Sequence, residues 1–445
     1  MSDSATQVLN QAGGQSFFDR ISALPKTASE AFASRRTLAS AIVAGALLPT
    51  TREEEWKYTN LRDLGKVEFG AIGPGGNGNF SEYLIDETSG SRLVFVNGRY
   101  NAELSSTENI PAEAAVFELN ESAGKMPETL EKHLGAYAKL ENDPFLSLNA
   151  SLLGEGAFIY VPQDVKVEKP IHLIHISTET EQAFVSAPRV VLVAGRYAKA
   201  TLIEDYIGIG NGTYLQVPVT ELSLDEGANI THVRLQRESK SAFHIARVGS
   251  RLDKASNYES YAIHLGSKIS RSDVVALIDQ HEAHCALDGL VMVGDDQVSD
   301  THTLMDHQKP YCTSHQLHKC IVDDSARSVF NGKIFVRQAA QRTDSFQENR
   351  NLLLSDKGTV DTKPQLEIFA DDVKCSHGAT IGQLSDDELF YLKSRGLDDA
   401  SARELLTYGF ALEVIENVPV EAIRKQLAAA VAEFTQRHKQ AASAA

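Results

Sequence analysis

Two side chains in the stretch "FADDVKCSHGATIG", residues 369–382, could do metal chemistry: Cys375 and His377 stand two positions apart. A thiolate and an imidazole are soft-to-borderline donors, suited to iron, to iron–sulfur species or to zinc. On a β-strand side chains alternate, so this spacing puts both donors on the same side. Gly378 follows and leaves room for a ligand or another backbone to approach. Two donors are too few for a closed metal site, which takes four. Any metal here is therefore shared across an interface or held transiently. The alternative is a packed thiol beside a structural imidazole.

A denser set of donors lies in "DTHTLMDHQKPYCTSHQLHKC", residues 300–320, with His302, His307, Cys312, His315, His318 and Cys320. Zinc sites favour tight pairs in sets of four, of the C-x₂₋₄-C or H-x₃₋₅-H kind. Here Cys312 and His315 make one loose pair, and His318 with Cys320 share one strand face. We expect no zinc, and read these residues as histidines of a turn and a strand. No G-x-x-x-x-G-K-[ST] run occurs, and "GPGGNG" at 73–78 lacks the lysine and the strand-to-helix setting. The chain is thus expected to bind no nucleotide, and any ATP would be hydrolysed by another protein. A G-x-S-x-G elbow is also missing, so no serine-hydrolase triad is indicated and no catalytic residue is assigned.

The elements that must position these donors change character twice along the 445 residues. Up to about residue 140 the pattern is mostly helical, as in "SFFDRISALPKTASEAFASRRTLASAIVAGALL". A Gly-rich break at 70–79 and a short strand candidate, "SRLVFVNGRY", interrupt it. From about 155 to 382 short alternating runs take over, among them "AFIYVP", "IHLIHIS", "RVVLVAG", "ITHVRLQ" and "PQLEIFA", which read as strand after strand. Polar turns recur in a comparable frame, with Asp225, Asp253, Asp279, Asp323 and Asp356 spaced 28, 26, 44 and 33 residues apart. A repeat of that size with no helix per unit suggests stacked coils, since propeller blades need about 40–50 residues and a steadier period. The sequence therefore predicts a mainly β protein, a parallel β-helix, with a β-sandwich as the other reading of the same pattern. We divide the chain into a mostly helical region at 1–150, a β-helix core at 151–384 and a helical region at 385–445. Helices at both ends are expected to cap the open coils.

In the last region "SDDE" reads as a capping box, with Ser385 at the N-cap and Glu388 three residues on. Gly396 fits a helix stop. Beyond it Ala402, Leu405, Leu406, Gly409 and Phe410 fall on one helical face, and Pro419 stands near the start of a third helix.

Composition excludes some partners. The formal charge of −17 repels phosphate backbones, so nucleic acid is not expected. The longest apolar run, Ala41 to Leu48, is too short to span a bilayer. The opening "MSDSATQVLNQAGG" shows no basic segment before an apolar one, so no signal peptide is read. Four cysteines, Cys285, Cys312, Cys320 and Cys375, are too few for a disulfide framework in this length. Reduced thiols and a cytoplasmic location are expected.

Three stretches carry a resemblance. "VKCSHGATIGQLSDDELFYLKSRGL" with "ARELLTYGFALEVI" resembles the C-terminal signature of the SufB/SufD family of iron–sulfur cluster assembly proteins. "HQLHKCIVDDSARSVFNGKIFVRQAAQRTDSFQENRNLLLS" resembles the core of that family. "TREEEWKYTNLRDL", at 51–64, is similar to the N-terminal motif of its SufD branch. The resemblance implies a right-handed parallel β-helix between helical ends. It further implies a non-enzymatic scaffold that pairs with SufB, each partner binding one copy of the ABC-type ATPase SufC. On that scaffold a transient iron–sulfur cluster, shared with SufB, is built from iron and from sulfur delivered to SufB. His377 matches the histidine that faces a SufB cysteine at the junction, and Cys375 matches a neighbouring cysteine of less defined role. SufB has a His-Glu pair in that place, so Gly378 favours the SufD branch. Leu405, Leu406 and Phe410 fall in the part that docks SufC, and self-pairing without SufB is a further expectation. A β-helix enzyme acting on polysaccharide is the rival reading of the fold, and such lyases are typically exported.

Overall fold

The structure, a computed structural model, describes residues 16–24, 30–71, 80–138 and 143–443, the last segment with its side chains to residue 436. The opening residues read above for a leader, and most of the Gly-rich break at 70–79, lie outside the described residues.

Between Gly156 and Gln383 the chain winds as a two-walled β-solenoid of about 8 turns. Each coil lays one strand on either wall, the second-wall strand being split in two in the early coils (Phe184–Ser186 with Arg189–Ala194, Tyr214–Gln216 with Val219–Leu224), and from coil to coil the strands pair in parallel. Thus Asn229–Arg237 registers on Asn257–His264, which registers on His284–Val293, Thr313–Val322, Asp344–Leu353 and finally Lys374–Gln383. On the other wall the series runs through Phe243–Leu252, Ile269–Ile278, Val298–His307 and Arg327–Val336 to Thr359–Ile368. Register partners are 26 residues apart at Phe243 and Ile269 but 32 apart at Arg327 and Thr359. The coil length therefore drifts. Of the turn aspartates, Asp225, Asp253 and Asp279 follow strands of the second wall, whereas Asp323 and Asp356 follow strands of the first. The frame read in sequence mixed two corners of the coil, which is why one spacing jumped to 44.

Alternation buries one side of each strand in the lumen. Leu192, Leu202, Leu222, Ile230, Tyr258, Val274, Cys285, Met305 and Ile334 stack there as one continuous core. Most strands are also covered outside, so runs such as Ile171–Thr178 are buried at every position. The N-terminal region covers the second wall, through Phe17, Phe18, Leu61, Leu64 and Phe145 against Leu215, Phe243 and Ile245. This region is not helical throughout. Its strand Arg92–Val96 joins the first wall in parallel with Ile171–Thr178, and Ala115–Glu118 joins the second.

The C-terminal helices do not cap the last coil, contrary to expectation. Helices Asp399–Ile415 and Glu421–Ser443 lie along the outside of the first wall, where Val414, Ile415, Val418, Ile423 and Leu427 meet Leu235, Leu290, Met292, Leu317 and Ile321. Those outward apolar side chains of the strands would otherwise face water, and covering them is worth roughly 25 cal/mol per Å². The helical period was legible but its phase was not. The buried stripe of Asp399–Ile415 is Ala402, Thr407, Ala411, Val414 and Ile415; Leu406 and Phe410 are half-buried, and Leu405 is 49% exposed. Ser385 caps Asp386–Ser394 by accepting from the Glu388 amide, but the reciprocal arm of the expected box is not made. Gly396, at φ +97°, ends that helix, and the Leu397 amide returns to the Leu392 carbonyl.

Candidate functional site

Cys375 and His377 lie on Lys374–Gln383, the outermost strand of the first wall, which has one neighbour among the described residues. Both belong to the positions that face the lumen, in register with Ser345 and Gln347 of the preceding coil. Two polar files lead up to them. In one, His307 Nε2 meets Ser314 Oγ at 2.9 Å and Ser314 Oγ meets Ser345 Oγ at 2.6 Å, one rung below Cys375. In the other, Thr303, Gln316 and Gln347 are hydrogen-bonded in series below His377.

The two donors differ in environment. Cys375 is half-buried against the lumenal core, and burial, with Asp344 adding to it, pushes its thiol up and keeps it protonated. His377 is exposed. A Cβ at Gly378 would meet no atom within 4 Å, so the packing of this chain does not demand glycine there. The room it leaves opens outward. Around this strand the last coil carries exposed apolar side chains, with Phe369 58% and Ile381 51% exposed.

The donors at 300–320 are dispersed over both walls. His302 points outward between Asp300 (2.9 Å) and Glu55 (3.2 Å). Burial opposes its charge, but these carboxylates win and raise it to about 9. His307 and His318 face the lumen, where burial holds them neutral, near 4 and 3. His318 stacks on Phe330 at 4.8 Å. His315 faces out and stacks on Phe346 at 5.6 Å, so it does not meet the buried Cys312. Cys320 shares the lumen face with His318, as expected, and burial lifts its thiol to about 11. Among the described residues no three His, Cys, Asp or Glu side chains gather as a metal would require. All four cysteines are free.

The motif at 51–64 is a strap on the second wall. Arg271 stacks over Trp56 at 4.0 Å and bonds the Glu55 carbonyl and Asp300, while Thr59 donates to Asp300 at 2.5 Å. Glu54 reaches Lys363 of the last coil at 2.6 Å. Sequence reasoning missed a second polar centre, deep in the early coils. There the Glu204 carboxylate accepts from His232 (2.7 Å), Tyr206 (2.8 Å) and Thr220 (2.8 Å), and Tyr258 bonds the other nitrogen of His232 at 3.0 Å. Burial opposes the charge of Glu204, yet these donors hold it ionised, near 2. Its only signal was polar residues at lumenal positions of "KATLIEDYIGI", legible once the coil register is known.

Sequence comparison decides the family. The SufBD core domain of SUF-system iron–sulfur cluster assembly matches residues 175–410, and the SufBD N-terminal region matches residues 14–173. This chain belongs to the SufB/SufD family. It is 33% identical to SufD of Escherichia coli over 86% of this chain and 88% of the relative. A SufBD family protein of Synechocystis is 36% identical over 88% and 89%, and the chloroplastic protein ABCI7 of Arabidopsis thaliana is 32% identical over 85% and 81%. The SufB/SufD family works in iron–sulfur cluster assembly, and the solenoid with its flanking helices is the body of this member. No helix among the described residues is long and apolar enough to cross a membrane.

Proposed function

We propose that this chain is the SufD-type subunit of a cytoplasmic assembly scaffold, without catalysis or nucleotide binding of its own. In this reading it pairs with SufB through the uncovered last coil, and SufC docks on the C-terminal helices. His377 stands at the junction and lends an imidazole to a cluster that is cargo, built between the two chains and passed on. One observation carries the reading: the exposed His377 sits on a sheet edge that has no second neighbour among the described residues, where a partner strand can add. Cys375 is the secondary donor, because its thiol is half-buried and held protonated. For SufC, the exposed Leu405, with Phe390 and Tyr391 on the preceding helix, offers an apolar surface beside the half-buried Leu406 and Phe410.

The test is co-expression with SufB and SufC. A ternary complex that purifies brown, with thiolate-to-iron absorption that His377→Ala removes while the complex persists, is the expected result. Normal absorption from an intact His377→Ala complex would refute the role of His377. Failure of the chain to associate with SufB would refute the scaffold pairing.

A further inference from the structure

The polar file below His377 has a direction and an unused end. Gln316 Nε2 donates to Thr303 Oγ1 at 3.0 Å, and Gln347 Nε2 donates to Gln316 Oε1 at 2.8 Å. Both amides are buried, Gln347 completely. Gly332 on the facing wall makes the room, since a Cβ there would collide with Gln347 Nε2. Gln347 Oε1 is buried and has no hydrogen-bond partner among the described residues. Leaving a buried carbonyl unpaired is destabilising, and this one, among several such buried atoms in the solenoid, stands at the end of a hydrogen-bonded file. The next residue in the same register is His377, one strand spacing beyond.

We infer that Gln347 is a positioning residue for His377: the exposed imidazole, which does not meet the amide in this structure, turns onto its free oxygen, donates one ring N–H to it and so directs the other, unprotonated nitrogen toward the partner across the open edge. The inference rests on the proposed role of His377. Parallel, in-register strands about 4.8 Å apart repeat a side-chain contact from rung to rung, and the Gln316–Gln347 bond spans that same step. A histidine that ligates metal usually donates its second N–H to a carbonyl or carboxylate, which fixes tautomer and ring orientation. Here the acceptor is itself held by a second amide and a threonine, so it cannot swing away. The order Thr303, Gln316, Gln347, His377 thus runs from a fixed lumenal anchor to a donor exposed at the edge.

The tautomer of His377 reads this out without any cluster. The full chain is labelled with ¹⁵N-histidine, the His377 signals are assigned by their loss in His377→Ala, and spectra are taken where the imidazole is neutral. One tautomer dominates in the unsubstituted chain and in Gln347→Glu, which keeps an acceptor. In the near-isosteric Gln347→Met the two tautomers become comparable, and iron retained by the complex with SufB falls about 10- to 100-fold. Gln316→Met, which frees Gln347 but keeps its oxygen, gives an intermediate ratio and guards against misfolding of Gln347→Met. An unchanged tautomer ratio in folded Gln347→Met overturns the inference, whatever the assembly result. Normal assembly by His377→Ala would instead sink the role of His377 and leave the tautomer result standing.

Discussion

The two ends of the solenoid are finished differently. At the N-terminal end both walls terminate in antiparallel strands: Arg99–Ser106 closes on Arg92–Val96, and Ala115–Glu118 closes on Gly156–Val161. The reversal breaks the parallel stacking, and the polar, largely exposed Arg99–Ser106 offers little for another chain to join. At the C-terminal end Thr359–Ile368 and Lys374–Gln383 likewise have one neighbour each among the described residues, but they continue the parallel stacking, and helices that could have covered them lie along the flank instead. Sheet edges left open recruit other chains. That one end finishes in reversed, largely polar strands while the other keeps a parallel edge with Ile368, Phe369 and Ile381 exposed argues that the C-terminal, open end is kept for a partner.

Substitutions at the two ends separate folding from association. Leu93, at the N-terminal end, packs into the lumenal core, and Leu93→Asp buries an unpaired charge at a cost of several kcal/mol. We expect the largest effect there, a collapse of the cooperative melt seen by circular dichroism. Ile381→Asp at the open end should leave melting nearly unchanged yet weaken capture by SufB, by about thirtyfold or more if Ile381 is a central anchor. Equal melting losses at both ends would erase the contrast.

Within the open end the two donors should rank. His377→Ala is expected to abolish or severely reduce cluster assembly with the complex intact, whereas Cys375→Ser should reduce it less, its thiol being half-buried and protonated. Iron and sulfide content of the purified complexes measures both. Equal loss would make Cys375 a primary ligand. On the flank, Leu405→Asp should weaken pull-down of SufC with little change in melting. Phe410→Asp should do both, because that ring also packs under the Lys319 ammonium, 4.7 Å from its centre. Unchanged SufC capture by both variants would leave those helices as a cover for the first wall.

The smallest effect concerns the strap that reaches the last coil. His302 is raised to about 9 in the fold, above the unfolded value of about 6.5. Its ion pairs with Asp300 and Glu55 therefore stabilise fully below about pH 6.5 and fade as pH rises through about 9. Proteolysis within residues 51–64 should accelerate between pH 7 and about 9.5, and His302→Gln should flatten that dependence. A pH profile unaffected by His302→Gln would remove this residue from the account.

Much of this was legible in sequence for a plain reason: period-2 alternation and a two-residue donor spacing are local. Alternation in "IHLIHIS" and "RVVLVAG" gave strands, and the spacing of Cys375 and His377 gave a shared face. What depends on register was hidden. Gln347 is unremarkable until 30-residue stacking places it under His377, and the aspartates at 225 and 323 look equivalent until their strands fall on different walls. The buried phase of Asp399–Ile415 depends on the wall it meets, and Thr407 lies within that stripe although it is polar. The scattered donors at 300–320 show the converse, since residues close in sequence diverge when strands alternate in and out.

The central claim is that the open end pairs with SufB, and amide hydrogen exchange tests it most directly. Unpaired edge amides exchange fast and slow down once a partner strand bonds them. Exchange of the chain in isolation is compared with that of its complex with SufB, segment by segment. New protection is expected in Lys374–Gln383 and Thr359–Ile368, with Arg99–Ser106 and Ala115–Glu118 unchanged. A complex that protects the N-terminal end, and leaves the strand carrying His377 exchanging as in the free chain, would contradict it.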